Sequence, residues 1–387
     1  MSTAVNPAFL GELEKYGAFD IRACFNCGNC TAVCPLSTDN VNFPRKMIRY
    51  GQIGAHDRLL ASKEVWLCYY CGECSTTCPR QAEPGEFMAA ARRYAIASAD
   101  PTPISRVLYT SKLWTAIFTV ALSVLLALIL LAGGGPMILE SPELFQFLSF
   151  DIIHDLGLAV IALAVISMVV GVVRMMMHLS RTIPHPSAEE ESEEKEPGWL
   201  ARLVRAATAV ATELVAQNRF RDCQDEPTTP WYRGRRFMHW SIMWGFLGLL
   251  VATVVDYLLL IVADKAPGQP EPLWHPTRLL GTVAGVFLVY GTAVAIIQRF
   301  TKPDKYFSHS LLSDWLLLWL LFLAGVTGFI VEITVYFPEG ATWIYIAFLV
   351  HVVVGMEVVV LLPFTKFAHA IYRPVALFIH NLAEASR

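Results

Sequence analysis

From residue 113 onward the chain is divided into six apolar stretches, and nothing else in the sequence limits its fold so strongly. They lie near 113–139, 152–177, 237–262, 279–298, 311–336 and 343–367. A hydrocarbon core about 30 Å thick is crossed by roughly 20 apolar residues in helical form. Trp114, Trp240, Tyr336 and Trp343 fall near stretch ends, where amphipathic rings settle at the bilayer interface. The remaining composition agrees. Of 387 residues 55% are hydrophobic and 16% charged, against roughly 25% charged in soluble domains, and the mean hydropathy is +0.47. These values exclude an ordinary soluble protein and a disordered one. With 30 basic and 33 acidic residues the net charge is −3, so no basic surplus points to nucleic acid.

Lysine and arginine orient the stretches. Arg92, Arg93, Arg106 and Lys112 precede the first; Arg174 and Arg181 close the second; Arg233, Arg235 and Arg236 open the third. Arg299, Lys302 and Lys305 separate the fourth and fifth, and Lys366 and Arg373 follow the sixth. The alternate loops, 140–151, 263–278 and 337–342, hold only Lys265 and Arg278. Positive charge stays inside, so both termini are expected in the cytoplasm of a multi-pass protein of the cell membrane. The opening residues, without a basic n-region or an apolar run, agree. The one long loop, 179–236, is expected on the same side. It carries an acidic run from Glu189 to Glu196, then apolar residues at i, i+3, i+4 spacing from Leu200 to Val215. This amphipathic helix either lies along the membrane or docks a partner.

Eight of the nine cysteines fall between Cys24 and Cys78. In the cytoplasm thiols stay reduced, so crowded cysteines read as metal ligands. Cys24, Cys27, Cys30 and Cys34–Pro35 follow C-x2-C-x2-C-x3-C-P, and Cys68, Cys71, Cys74 and Cys78–Pro79 repeat it. This is the bacterial ferredoxin run, in which three close thiolates grip one 4Fe–4S cube and the fourth cysteine serves the other. Cluster one is therefore assigned Cys24, Cys27, Cys30 and Cys78, and cluster two Cys68, Cys71, Cys74 and Cys34. Structural zinc is the competing reading, although its C-x2-C pairs are usually some 12–20 residues apart. The segment between the runs reads as helix, giving an all-helical two-cluster domain over 1–105 ahead of a membrane domain over 106–387. It resembles the α-helical ferredoxin domains of respiratory dehydrogenases and of the iron–sulfur subunit of heterodisulfide reductase. Cys223 has no nearby cysteine and reads as a free thiol.

Histidine inside a membrane span is rare and usually functional. His351 and His369 are 18 residues apart, five helical turns or about 27 Å on a continuous helix. They are expected on one face of the sixth span at opposite depths, as two stacked b haems require. The stretch from His351 through Gly355 and Pro363 to His369 resembles the last helix of the nitrate reductase gamma subunit family, which includes the cytochrome b subunit of heterodisulfide reductase. Arg236-Phe237-Met238-His239-Trp240 resembles the histidine-bearing second helix of the same fold. The resemblance implies a five-helix cytochrome b over spans two to six, with span one as an added crossing. It also implies an inner haem between His239 and His369. For the outer haem it calls for a histidine ten residues after His239, where Leu249 stands. The partner of His351 is then His154, near the outer end of span two, or His275 in the outer loop. His178 and His309 lie at cytoplasmic ends, while His56, His185 and His380 have no supporting context.

In domain order the chain resembles the membrane subunits of quinone-interacting membrane-bound oxidoreductase complexes, found in sulfate-respiring and some sulfur-oxidising prokaryotes. The resemblance implies menaquinol, cytoplasmic partner subunits containing flavin and iron–sulfur clusters, and electron exchange with adenylylsulfate reductase. A heterodisulfide reductase-like complex fed by another membrane carrier is the alternative. Asp256, Glu332 and Lys265, on the outer side, are candidates for quinone or proton contacts; charges snorkelling to water are the competing reading. Glu357 lies nearer mid-membrane. No G-x-G-x-x-G follows a strand, so no Rossmann flavin or nicotinamide site is expected.

Overall fold

A computed structural model of the protein describes residues 5–37, 42–138, 143–180, 198–217, 220, 229–262, 272, 274–301, 310–336 and 342–384. Lys265, His185, His309, Cys223 and the acidic run lie outside the described residues. Among the described residues every regular element is helical. Eight helices precede the membrane: α1 Phe9–Lys15, α2 Asn29–Ala32, α3 Arg45–Gln52, α4 His56–Leu60, α5 Glu64–Leu67, α6 Glu73–Thr76, α7 Pro84–Ala99 and α8 Ile104–Thr110. Most are short, because glycines and the cysteine loops interrupt them.

Six later helices are long and apolar enough to cross a membrane. They are α9 Lys112–Ala132, α11 Phe150–Ser180, α13 Arg235–Val262, α14 Pro276–Thr301, α15 Leu312–Tyr336 and α16 Thr342–Leu361; the short α10 Leu144–Phe147 follows α9. Two more lie outside the spans, α12 Trp199–Ala216 and α17 His369–Glu384. The fold is therefore all-α, a helical N-terminal domain followed by six membrane-crossing helices. Glycine lets α13 and α14 close on each other: a Cβ on Gly245 would fall 2.5 Å from the Leu288 backbone nitrogen. Small residues at such crossings are how membrane helices pack without a hydrophobic drive.

The sixth span departs from expectation. Its helix stops at Leu361, and 3-10 turns at Leu362–Phe364 and Lys366–Ala368 separate it from α17. Pro363 has no N–H and disfavours a helical residue before it, and Thr365 is extended at ψ −176°. His351 and His369 are thus on two helices, and the five-turn, one-face reckoning does not hold.

The two parts of the chain share one core. Phe9, Leu13, Met47, Leu59, Trp66, Phe87 and Met88 are continuous with Met168, Met175 and Leu179 of α11 and with Tyr372 and Ala376 of α17. At 1.5 Å per residue, the 31 residues of α11 reach about 46 Å, beyond a 30 Å hydrocarbon core, so its end can meet the N-terminal domain. A buried polar clamp adds to the join. Asp314, 2% exposed, receives Arg93 of α7 at 2.7 Å and Lys366 at 3.2 Å. Arg93 also donates to Tyr16 O at 2.8 Å. Helix α12 rests on α17 and Leu67 along Val210 and Leu214, and its Glu213 pairs with Arg373 of α17. Leu200, Leu203, Val204 and Val215, expected on that same apolar face, remain exposed.

Candidate functional site

The two cysteine runs fold as the same loop. Two residues after the first cysteine, Asn26 and Tyr70 take φ of 65° and 56°, and Gly28 and Gly72 follow at 91° and 83°. These left-handed turns return an amide to the first thiol: Asn26 N lies 3.4 Å from Cys24 Sγ, and Tyr70 N lies 3.4 Å from Cys68 Sγ. A bulky residue resists positive φ. Tyr70 is held there by its hydroxyl, which donates to the buried Glu86 carboxylate. Each loop has its first-cysteine carbonyl taken from the following helix, by Gln52 at Cys24 and by Arg92 at Cys68.

The fourth cysteine of the first run crosses over. Cys34 lines a cavity of about 180 Å³ together with Cys68, Cys71 and Cys74. Cys30 instead has Cys24, Cys27 and Cys78 as interacting neighbours. Burial pushes the Cys34 thiol up to about 12, with Cys68 and Cys71 adding to the rise. Burial likewise raises Cys30, Cys68 and Cys74. Buried thiols of this kind keep their protons unless a metal centre replaces them. Thiols spread around a cavity fit a cube, which takes one at each corner.

Directly behind the second loop lies a histidine pair. Arg235, the first residue of α13, donates to Tyr70 O at 2.5 Å and to Cys71 O at 3.2 Å. One turn later His239 faces His369, with ring centres 6.2 Å apart and planes at 58°. Two metal–imidazole bonds of roughly 2 Å, plus the distance from each nitrogen to its ring centre, span about 6 Å. His369 Nδ1 is 2.5 Å from Lys366 O; a carbonyl only accepts, so Nδ1 carries the hydrogen and Nε2 keeps its lone pair. His239 Nδ1 donates to Gln217 Oε1 at 3.2 Å, with the same result. Fixing one ring nitrogen so that the other can bind metal is the usual outer-shell arrangement. Burial, then His239, pushes His369 down to about 3, so it stays neutral.

Aromatic rings fill the space between loop and pair. Tyr69 meets Phe220 edge-on at 5.1 Å, and Phe220 lies 5.0 Å from the His239 ring. The Arg373 guanidinium covers Tyr69 at 3.7 Å and pairs with Glu213 at 4.0 Å. Sequence reasoning missed Gln217, Tyr69, Phe220 and Arg373. Arg235 and Arg373 carried a signal only as two of the bases that orient the spans.

His351, His154 and His275 are not brought together. His351 Nδ1 contacts Thr327 Oγ1 at 3.0 Å, and the ring packs over Gly328. His154 uses both nitrogens, Nδ1 toward Asp155 Oδ1 at 3.1 Å and Nε2 toward the Tyr257 hydroxyl at 2.8 Å. His275 Nδ1 meets Thr277 Oγ1 at 2.8 Å. No hydrogen bond or ring contact joins His351 to either among the described residues. Of the candidate charges, Glu332 accepts from Arg278 at 3.0 Å and from Thr282 at 3.1 Å. Asp256 is half-buried on α13. Glu357 is buried and accepts from Ser123 Oγ of α9 at 2.8 Å.

Residues 20–82 match a family described as a 4Fe-4S dicluster domain. The chain is similar to citrate utilization protein B of Escherichia coli, 24% identical over 385 residues, covering 97% of this chain and 85% of that protein. It is 33% identical over 71 residues to the iron–sulfur subunit of the CoB–CoM heterodisulfide reductase of Methanopyrus kandleri, covering 16% of this chain and 37% of that one. It is 23% identical over 162 residues to a subunit of the dihydromethanophenazine:CoB–CoM heterodisulfide reductase of Methanosarcina mazei, covering 39% of this chain and 61% of that one. The chain thus spans less than two thirds of either reductase protein. No solved structure matches it at a significant level. Fold and likenesses agree on an iron–sulfur domain fused to a multi-pass membrane domain.

Proposed function

We propose that this chain is the membrane electron-transfer subunit of a quinone-linked oxidoreductase complex. It exchanges electrons between a membrane quinol, menaquinol by the resemblance, and cytoplasmic partner subunits that carry flavin and iron–sulfur clusters. Cys24, Cys27, Cys30 and Cys78 hold one 4Fe–4S cube, and Cys68, Cys71, Cys74 and Cys34 hold the other. His239 and His369 hold a b haem through their Nε2 atoms. When bound, these groups supply one-electron carriage, a chemistry no side chain of the chain provides.

The chain's own residues hold and tune. Lys366 O and Gln217 fix the two imidazole tautomers. Amides of Asn26, Tyr70 and Ala82 approach the sulfurs of Cys24, Cys68 and Cys78 at 3.4 Å, contacts that set cluster potential. Arg235 ties the second loop to the helix of His239, while Tyr69 and Phe220 keep water from the gap. The outer haem of the resemblance rests on His351 without a partner, and one haem is proposed. His351, inside the membrane with Nδ1 on Thr327, and Asp256 and Glu332 toward the outer side are proposed to meet the quinol and take its protons. Both termini are proposed to be cytoplasmic, supported by the base-rich loops.

One observation carries the reading: the Tyr69–Phe220–His239 contact, through which a cysteine loop adjoins a histidine pair. It is supported by likenesses to an iron–sulfur protein and to part of an enzyme named for a membrane carrier, dihydromethanophenazine, within one chain. Adenylylsulfate reductase is the proposed further acceptor. Anaerobic addition of a menaquinol analogue to the purified protein tests the function. Cluster signals should appear by electron paramagnetic resonance; clusters that are intact yet stay oxidised would sink it. Copurification with adenylylsulfate reductase separates this reading from a heterodisulfide reductase-like complex.

A further inference from the structure

The duplicated loop contains its own control. With an offset of 44 residues, Phe25 of the first run corresponds to Tyr69 of the second, and Asn26 to Tyr70. Asn26 and Tyr70 share a positive φ and a sulfur contact. Their surroundings differ completely. Tyr69 is covered by Phe220 and Arg373, and the carbonyls of Tyr70 and Cys71 are taken by Arg235. This is the face by which cluster two meets its membrane neighbour. The same face of the first run is bare: Phe25 is 61% exposed, Val33 is 38% exposed and Cys27 is exposed. No described residue donates to the carbonyls of Asn26 or Cys27.

Charge defines what would cover it. Arg45 donates to Asn26 Oδ1 at 2.8 Å and Arg80 reaches Ala23 O at 3.5 Å. Both side chains are exposed, and neither has a carboxylate partner among the described residues. Two such guanidiniums beside a bare phenylalanine suit an acidic rim around an apolar socket.

We infer that the Phe25 face of cluster one is the docking surface for the soluble electron partner, a redox protein that presents acidic side chains around its own cofactor. The inference rests on the relay proposed above and assigns its soluble end. Phe25 seats in the partner as Tyr69 seats against Phe220, while Arg45 and Arg80 attract the acidic rim.

The test follows electron exchange between the full chain in nanodiscs and a reduced acidic 4Fe–4S ferredoxin, by stopped flow at rising salt. The rate should fall at least tenfold from roughly 0.05 to 0.5 M salt as charges are screened. Arg45→Glu/Arg80→Glu should remove most of that salt dependence. Phe25→Ala should slow exchange about tenfold while leaving the salt slope unchanged. Val204→Glu, on the exposed face of α12, should change neither. Cluster absorbance in each variant reports that the fold and cofactors are intact. Salt-insensitive exchange, or rates unmoved by the Phe25 and arginine variants with clusters present, would overturn the inference and leave the relay standing. A wild-type chain without cluster absorbance would instead overturn the relay.

Discussion

The two ends of the membrane bundle, called inner where it meets the N-terminal domain and outer at the far side, treat histidine differently. At the inner end, His239 and His369 come from two helices, face each other at 6.2 Å and have their Nδ1 atoms fixed. At the outer end, His351 meets Thr327 through Nδ1 and faces no imidazole among the described residues, and His154 spends both nitrogens on Asp155 and Tyr257. The residues around each end explain the contrast. The inner pair is built by neighbours from outside the bundle: Gln217 after α12, the turn at Lys366, and a cysteine loop fastened by Arg235. The outer histidines are held within the bundle, His351 by Thr327 of α15 and His154 by Tyr257 of α13, and these contacts do not turn the two rings toward each other. A histidine at the right depth is therefore not yet a site; neighbours that fix one ring nitrogen and aim the other make it one.

This contrast can be broken in several ways. The largest effect is expected from His369→Ala or His239→Ala, each of which should abolish the b-type absorbance of the purified protein. A retained band in either would rule out the inner pair as haem ligands. Next, Cys34→Ser and Cys74→Ser, although in different runs, should each lose the same half of the cluster iron, the half beside the inner pair. Cys27→Ser and Cys78→Ser should lose the other half. Iron analysis with paramagnetic resonance reads the difference, and losses that follow sequence runs would refute the crossover.

Asp314→Ala should come third. It leaves Arg93 buried without its carboxylate and the half-buried Lys366 without its partner, and the first of these costs about 3–5 kcal/mol. Chemical denaturation should shift accordingly, and limited proteolysis should release the N-terminal domain sooner. Unchanged stability would mean that the shared apolar core alone joins the domains. The smallest effect belongs to the outer end: His154→Gln should leave haem content at the wild-type level. A drop there would restore the outer haem that the family resemblance implies.

The parts of this arrangement written in local spacing were legible from sequence. Six apolar stretches correspond to six helices, because bilayer thickness sets their length, although the first and last helices end at Ala132 and Leu361, short of the expected 139 and 367. The repeated cysteine spacing was legible as two runs, which fold as the same loop, and Cys34 lines a cavity with Cys68, Cys71 and Cys74. Features set by docking were not legible. Arg93 and Asp314 are far apart in sequence, and only the joined domains bring them within 2.7 Å. Phe220 and Gln217 stand beyond an amphipathic helix with no pattern of their own. The break after Leu361 did have a signal, Pro363, which the agreement between an 18-residue interval and five helical turns concealed.

The central claim is that a haem held by His239 and His369 lies beside a cluster held by Cys68, Cys71, Cys74 and Cys34. A reduced-minus-oxidised visible spectrum of the purified full chain, with metal analysis on the same sample, tests it most directly. The expected result is a b-type band over a broad cluster bleach, and about eight non-haem irons per chain, four from each cube. A chain carrying stoichiometric zinc and showing no haem band would contradict it.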